Sequence, residues 1–293
     1  MEGTPKVTTT TTSLTRLDGA AAATHAPPDA TDAHAVLERG APPEAAQQHR
    51  HRYRIRFSVS GRIRFLSHLE MVDTLVQAFR RAGVEIALSQ GFRPKPRVRM
   101  AMPRPVGVEA WNEIMEVELA AGIDPDEFAF RLQPTLPLGV TLHGIDAITH
   151  EEANATRRVR GAVFRLVLSA PVDADAVCAA AKMVRAADTV PIERRTPKQH
   201  KIVNVRTFVE DIAATPTDDG VMVRYFARLT EEGSVRPDEV VRALSLHGAG
   251  DLPAPYVIRE QITIAHDNDG IVAAPELVGA DVPDGPEKPW GAC

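Results

Sequence analysis

Four side chains have types and spacings suited to chemistry: His68, Ser89, Glu113 and Glu116. His68 lies in Ser67-His68-Leu69-Glu70 and offers a group that changes charge near neutral pH, as a general acid must. A single histidine in such a helix-start signature also reads as an accessory of the cap. Closely set glutamates can divide acid and base roles when their surroundings push their pKa values apart. The simpler account of Glu116 and Glu118, which share a strand face, is cross-strand pairing with arginines. Ser89 opens Ser-Gln-Gly-Phe-Arg-Pro, where Arg93 could hold an anion.

Anion binding needs only positive charge, and there the sequence is richer. Between Arg50 and Arg104 stand thirteen Arg or Lys against Glu70, Asp73 and Glu85, a local balance of +10 in a chain of net charge −5. Lys95, Arg97 and Arg99 alternate with Val98 and Met100, so a strand here carries cations on one face. Arg52, Arg54 and Arg56 do the same opposite Tyr53, Ile55 and Phe57, and Arg62-Ile63-Arg64-Phe65 repeats the pattern after a Ser-Gly turn. If these strands lie side by side, their basic faces merge. The candidate anion-binding set is Arg62, Arg64, Ser67, Arg93, Lys95, Arg97 and Arg99. Arginine forks match phosphate oxygens bidentately, which makes an RNA backbone the natural ligand. A merely solvated face is the other reading, since Arg outnumbers Lys by 28 to 6 throughout the chain.

Elements must position these residues. Ser67 and Glu70 predict a capping box; Leu69, Val72, Leu75, Val76 and Phe79 follow at helical spacing, and Gly83 marks the stop. Trp111–Leu119 reads as a strand. Asp124-Pro125 opens a helix, and Val140–Ile148 is a further strand. The first half, 50–150, is thus β-α-β-β-β-α-β, close to a ferredoxin-like sandwich with one sheet face free to bind. From Arg157 the order recurs: strands at 163–168, 190–193, 202–209, 221–229 and 256–264, with helices at 173–187 and 236–246. Arg194–Lys201 reads as a basic loop. The fold expected is α+β, two tandem ferredoxin-like halves at 50–150 and 157–266, a shared sheet being one arrangement of them. Residues 1–48, rich in Thr, Ala and Pro, and the Asp-, Gly- and Pro-rich 267–293 are expected to be disordered tails.

The pieces FLSHLE, FRRAGV, SQGFRPKPRVRMAMPRPVGVEA and NEIMEVEL, within a match over about residues 52–266, resemble the radical-SAM-associated protein family, a bacterial domain of unknown function. In that family the domain stands alone or is fused behind a cobalamin-binding radical SAM protein. The resemblance implies a radical SAM enzyme as partner, and places the iron–sulfur cluster, S-adenosylmethionine and cobalamin in that partner.

Composition agrees with a cofactor-free chain. Two cysteines, Cys178 and Cys293, cannot hold an iron–sulfur cluster, which needs three closely spaced thiolates. Phosphate-binding P-loops, dinucleotide glycine patterns, His-Glu-x-x-His and Gly-x-Ser-x-Gly are absent, and no metal set is expected. No apolar run approaches the roughly 20 residues of a spanning helix, and the N-terminus lacks a leader pattern, so a cytoplasmic protein without a membrane partner is expected. Three functions stay open: a non-catalytic RNA-binding accessory of a cobalamin-type radical SAM enzyme; an RNA-modifying or nucleotide-processing enzyme using Ser89, Arg93, Glu113 and Glu116 in a cleft between the halves; and a protein-interaction module.

Overall fold

A computed structural model describes residues 50–196 and 199–265. The tails expected at 1–48 and 267–293 lie outside the described residues. The first half runs β1 (His51–Val59), α1 (His68–Arg81), β2 (Val98–Met100), β3 (Glu109–Leu119), α2 (Pro125–Leu132) and β4 (Val140–Ile148). A one-turn helix, α3 (Ala155–Arg158), leads into the second: β5 (Val159–Ser169), α4 (Ala174–Ala186), β6 (Pro191–Thr196), β7 (Gln199–Asn204), β8 (Val209–Thr217), β9 (Gly220–Arg228), α5 (Pro237–Leu244) and β10 (Tyr256–Ile264).

Eight strands make one mixed sheet in the order β4-β1-β3-β10-β5-β9-β8, with β2 also on β3. The first half reads fourth-first-third-second, and so does the second once the inserted β6–β7 hairpin is set aside. The chain is therefore α+β, with two ferredoxin-like halves whose strands join one sheet. The joint is on β3. Its Met115–Val117 stretch pairs antiparallel with β2, while Glu109 and Ala110 pair parallel with Ile258 and Arg259 of β10.

Alternation decides which face each residue takes. Tyr53, Ile55 and Phe57 of β1 and Met115, Val117 and Leu119 of β3 turn toward the helices and are buried with Met71, Leu75, Ala78 and Phe79 of α1 and Phe128 and Leu132 of α2. The Phe128 ring meets Tyr53 edge-on at 5.3 Å and Phe79 at 5.8 Å. Emptying that position, Phe128→Ala, should cost about 3–5 kcal/mol. In α1 the expected capping box is present: the Ser67 hydroxyl accepts from the Glu70 amide and the Glu70 carboxylate from the Ser67 amide. Gly139, at φ +90°, brings its backbone against Ser60, where an added Cβ would stand 2.4 Å from the carbonyl oxygen.

The single strand expected at 202–209 is broken: β7 ends at Asn204, a 3-10 turn spans Val205–Thr207, and β8, which was not expected, begins at Val209. Three further expectations change. Arg62–Phe65 is not a strand but part of a 3-10 helix over Gly61–Phe65, entered through Gly61 at φ +64° and closed by the Leu66 amide on the Ile63 carbonyl. The turn packs Ile63 against the first core and leaves Phe65 outside, an arrangement that a strand's period of two forbids. Second, only Val98–Met100 of the expected comb strand is ladder; Lys95 belongs to the preceding loop, anchored by an isolated bridge between Leu88 and Pro96. Third, the segment expected as a loop at 194–201 is paired strand in its described residues: 194–196 belong to β6 and 199–201 to β7, with Arg194 opposite Lys201. Its polar composition hid the pairing, because Arg194 is bound to buried Glu239 of α5 by two bonds of 2.5 and 2.6 Å.

Candidate nucleic-acid interface

The face of β1 and β3 away from the helices carries Arg52, Arg54 and Arg56 beside Glu116 and Glu118, with Arg54 directly opposite Glu116. The expected cross-strand pairing is present. Arg54 donates to Glu116 (3.0 Å) and to Glu152 (2.7 Å), and Arg56 meets Asp146 at 3.5 Å. Burial pushes Glu152 up, but hydrogen bonds from Arg54 and Arg158 outweigh it and hold the carboxyl below its ordinary range.

This face is not open along its whole length. The connection between the halves crosses it: Arg52 donates to the carbonyls of Thr149 and Glu152 and to the Asn154 side chain, and the Ala155 amide donates to Glu116. Arg52 and Glu116 are each left 7% exposed. What remains open is the edge formed by β2 and the loop before it. There Glu118 is shared by Arg50 (3.6 Å), Arg97 (3.1 Å) and Arg99 (3.8 Å). One carboxylate cannot neutralise three guanidiniums, so positive charge is left over. Arg52, Arg97, Arg99, Glu116, Glu118 and Asn154 line a small recess at this place.

The loop beside it is held at its base. The Ser89 amide donates to the Lys95 carbonyl (2.8 Å), the Lys95 amide to the Ser89 hydroxyl (2.9 Å), and the Arg97 amide to the Ala87 carbonyl (2.9 Å). Residues 90–95 beyond this base are all exposed, and Phe92 is 101% so. Arg93 and Lys95 have no acidic partner among the described residues.

Of the anion-binding set, Lys95, Arg97 and Arg99 are thus brought together, with Arg93 on the same loop. Arg62 is exposed on the 3-10 helix. Arg64 has turned toward the second half, where it donates to the Tyr256 hydroxyl (2.5 Å) and stacks on the Phe65 and Tyr256 rings. Ser67 is occupied by its cap; the hydroxyl and amide of Ser67 hold the Glu70 carboxyl below its usual range.

The catalytic candidates do not assemble. Glu113 lies opposite Phe57 and so on the helix side of the sheet, whereas Glu116 lies opposite Arg54 on the other side. His68 begins α1, the Ser89 hydroxyl serves its loop, and no hydrogen bond joins any two of the four. Among the described residues no group of three or more His, Cys, Asp or Glu is placed to hold a metal, and no helix is long and apolar enough to cross a membrane.

One cluster was missed by sequence reasoning: Glu109, Trp111, Arg165, Arg224, Tyr256 and Glu260, drawn from β3, β5, β9 and β10. Glu109 accepts from the Trp111 indole (3.2 Å) and the Tyr256 hydroxyl; Arg165 lies 4.5 Å over the Trp111 ring. Alternation gave no hint of it, because Val163 and Val167 share the Arg165 face of β5, and Met222 and Phe226 share the Arg224 face of β9.

No curated protein matches the sequence. A family model described as an uncharacterized protein conserved in bacteria (DUF2344) matches residues 52–237, from β1 to the first residue of α5. That match takes in nearly all of the first half and most of the second, and the chain belongs to this bacterial family.

Proposed function

We propose that the chain is a non-catalytic accessory protein that binds RNA along the β2 edge and presents it to a cobalamin-type radical SAM enzyme. The observation that carries the RNA part is the shared Glu118: three guanidiniums surround one carboxylate, next to a loop whose Arg93, Lys95 and Phe92 are exposed. Surplus guanidinium at an edge attracts phosphate, and a bare aromatic ring offers a base a stacking face. The linker that fills the sheet face of the first half directs the ligand to this edge. The radical SAM partner rests on the likeness of the FLSHLE and SQGFRPKP motifs to that family. In this reading the iron–sulfur cluster, S-adenosylmethionine and cobalamin belong to the partner.

The test is a titration of the full chain with cellular RNA at several salt concentrations, beside an Arg93→Glu/Lys95→Glu variant. Neither side chain bonds an acid among the described residues, so the variant should fold. The wild type should bind with a steep salt dependence, and removing one cation that pairs with a phosphate should flatten the log–log slope by about 0.7 for single strands or 0.9 for duplex. No binding near physiological salt, or an unchanged slope, would reject the RNA reading. Salt-resistant capture of a radical SAM enzyme from nuclease-treated extract would then favour a protein-docking module.

A further inference from the structure

Arg165 of β5 and Arg224 of β9 stand directly opposite each other, on the sheet face away from the helices. Like charges in that position destabilise a sheet unless something is held between them. One carboxylate does part of this: Glu260 of β10 accepts from Arg165 Nε at 2.5 Å and from Arg224 Nε at 2.7 Å. Two guanidiniums on one carboxylate leave a positive charge.

They also leave donors. Arg165 Nη2 and Arg224 Nη1 are buried and have no acceptor among the described residues, although both side chains keep some exposure, 13% and 16%. A buried guanidinium N–H without an acceptor is costly, and such a group in a folded protein calls for a water or an ion. The Trp111 ring supports the Arg165 plane from one side, and Trp111 in turn is fixed by its bond to Glu109, which also takes the Tyr256 hydroxyl. The guanidiniums are therefore held in place while Arg165 Nη2 and Arg224 Nη1 find no acceptor among the described residues. The cluster takes residues from both halves and exists only when β3 and β10 are joined.

We infer that the Arg165–Arg224 pair is a binding site for a phosphate group, which enters where the two side chains keep their exposure, beside Trp111, and gives the unbonded guanidinium donors an acceptor. Two forks offering N–H groups to one tetrahedral anion suit phosphate better than a planar carboxylate, whose two oxygens a single fork already satisfies. The site is separate from the β2 edge, and it stands or falls independently of RNA binding there.

Trp111 reports on this site. A Trp290→Phe background leaves it as the single tryptophan of the chain. The full-length protein is titrated with inorganic phosphate, with adenosine monophosphate and with a short oligonucleotide, each against chloride at equal ionic strength, reading Trp111 fluorescence and the melting temperature. A saturable fluorescence change and a rise in melting temperature beyond chloride are expected. Arg224→Gln should weaken half-saturation about tenfold or more. It should not lower the melting temperature in chloride, because it removes one of two opposed like charges and leaves Glu260 paired with Arg165. Arg224→Lys, which keeps the charge without the fork, is the second variant should Arg224→Gln fail to fold; it too should weaken phosphate. A response to inorganic phosphate marks a free-anion site, a stronger one to the mononucleotide a nucleotide site, and one confined to the oligonucleotide a nucleic-acid phosphate. A response equal to chloride in both readouts, or one that both variants leave unchanged, overturns the assignment.

Discussion

Arg259 of β10 and Glu113 of β3 meet in a two-point ion pair, 2.8 and 2.6 Å, with neither side chain exposed. Two further guanidinium donors go to the carbonyls of Met102 and Pro103. The pair joins the two halves where β3 and β10 run parallel, so its role is to fix the joint. Removing one partner of a buried pair strands the other charge, and Glu113→Gln or Arg259→Met should each cost about 3–5 kcal/mol in denaturant unfolding. The double variant Glu113→Leu/Arg259→Met should recover most of that loss. A single-variant cost below about 1 kcal/mol would mean that the joint is held by apolar packing alone.

Glu118 restrains the charge of the β2 edge. Replacing it by glutamine frees Arg50, Arg97 and Arg99 together while keeping the shape of the side chain. Glu118→Gln should tighten RNA binding and steepen its salt slope by about 0.7 for each guanidinium that then takes up a phosphate. Weaker binding would show that Glu118 orders the arginines rather than competing for them.

Much of this was legible in the sequence, and the exceptions share a cause. Ser67 and Glu70 announced α1 because a capping box is a local signal, and the alternation in β1 and β3 gave the correct faces for Tyr53, Ile55, Phe57 and Glu116. Local signals carry no information about partners far along the chain. Glu113 and Glu116 are close in the chain, yet three residues along a strand put side chains on opposite faces, and Glu113 falls with Met115 and Val117 on the helix side. Its partner, Arg259, is 146 residues away. The covering of Arg52 by residues 149–155 was equally invisible, since backbone carbonyls have no sequence signature. The same holds for Arg165 and Arg224, whose opposition depends on the register of β5 with β9.

The carboxyls tied to arginines should govern the response to acid. Burial raises Glu239, but bonds from Arg194 and the Arg236 amide prevail and its folded-state value is lowered; Glu152 is lowered in the same way. A carboxyl lowered by folding contributes stability that is present above its unfolded value and lost as pH falls through its folded one. Stability should therefore decline below the ordinary carboxylate range, near pH 4.5 and under. Glu239→Gln should be less stable at neutral pH and lose less on acidification, as read from melting temperature against pH. Parallel curves for the variant and wild type would remove Glu239 from the acid response.

Tyr256 sets the alkaline limit by the opposite sign. Its hydroxyl is pushed up to about 12, first by burial and then by the bond it donates to Glu109, with Arg64 opposing the shift. The folded protein holds this proton more tightly than the unfolded chain, whose tyrosines titrate near 10. The corresponding stability is thus complete below pH 10 and lost as pH rises toward 12. Ionisation would set a tyrosinate against the Glu109 carboxylate, and the junction of Arg64, Glu109 and β10 would open. Tyr256→Phe should remove one late tyrosinate step from an absorbance titration and flatten the stability curve between pH 10 and 12. At neutral pH the loss of the Arg64 and Glu109 bonds should cost about 1–3 kcal/mol. An unchanged alkaline curve would place the cause of any loss elsewhere, with buried Tyr225, which is also raised, as the next residue to vary.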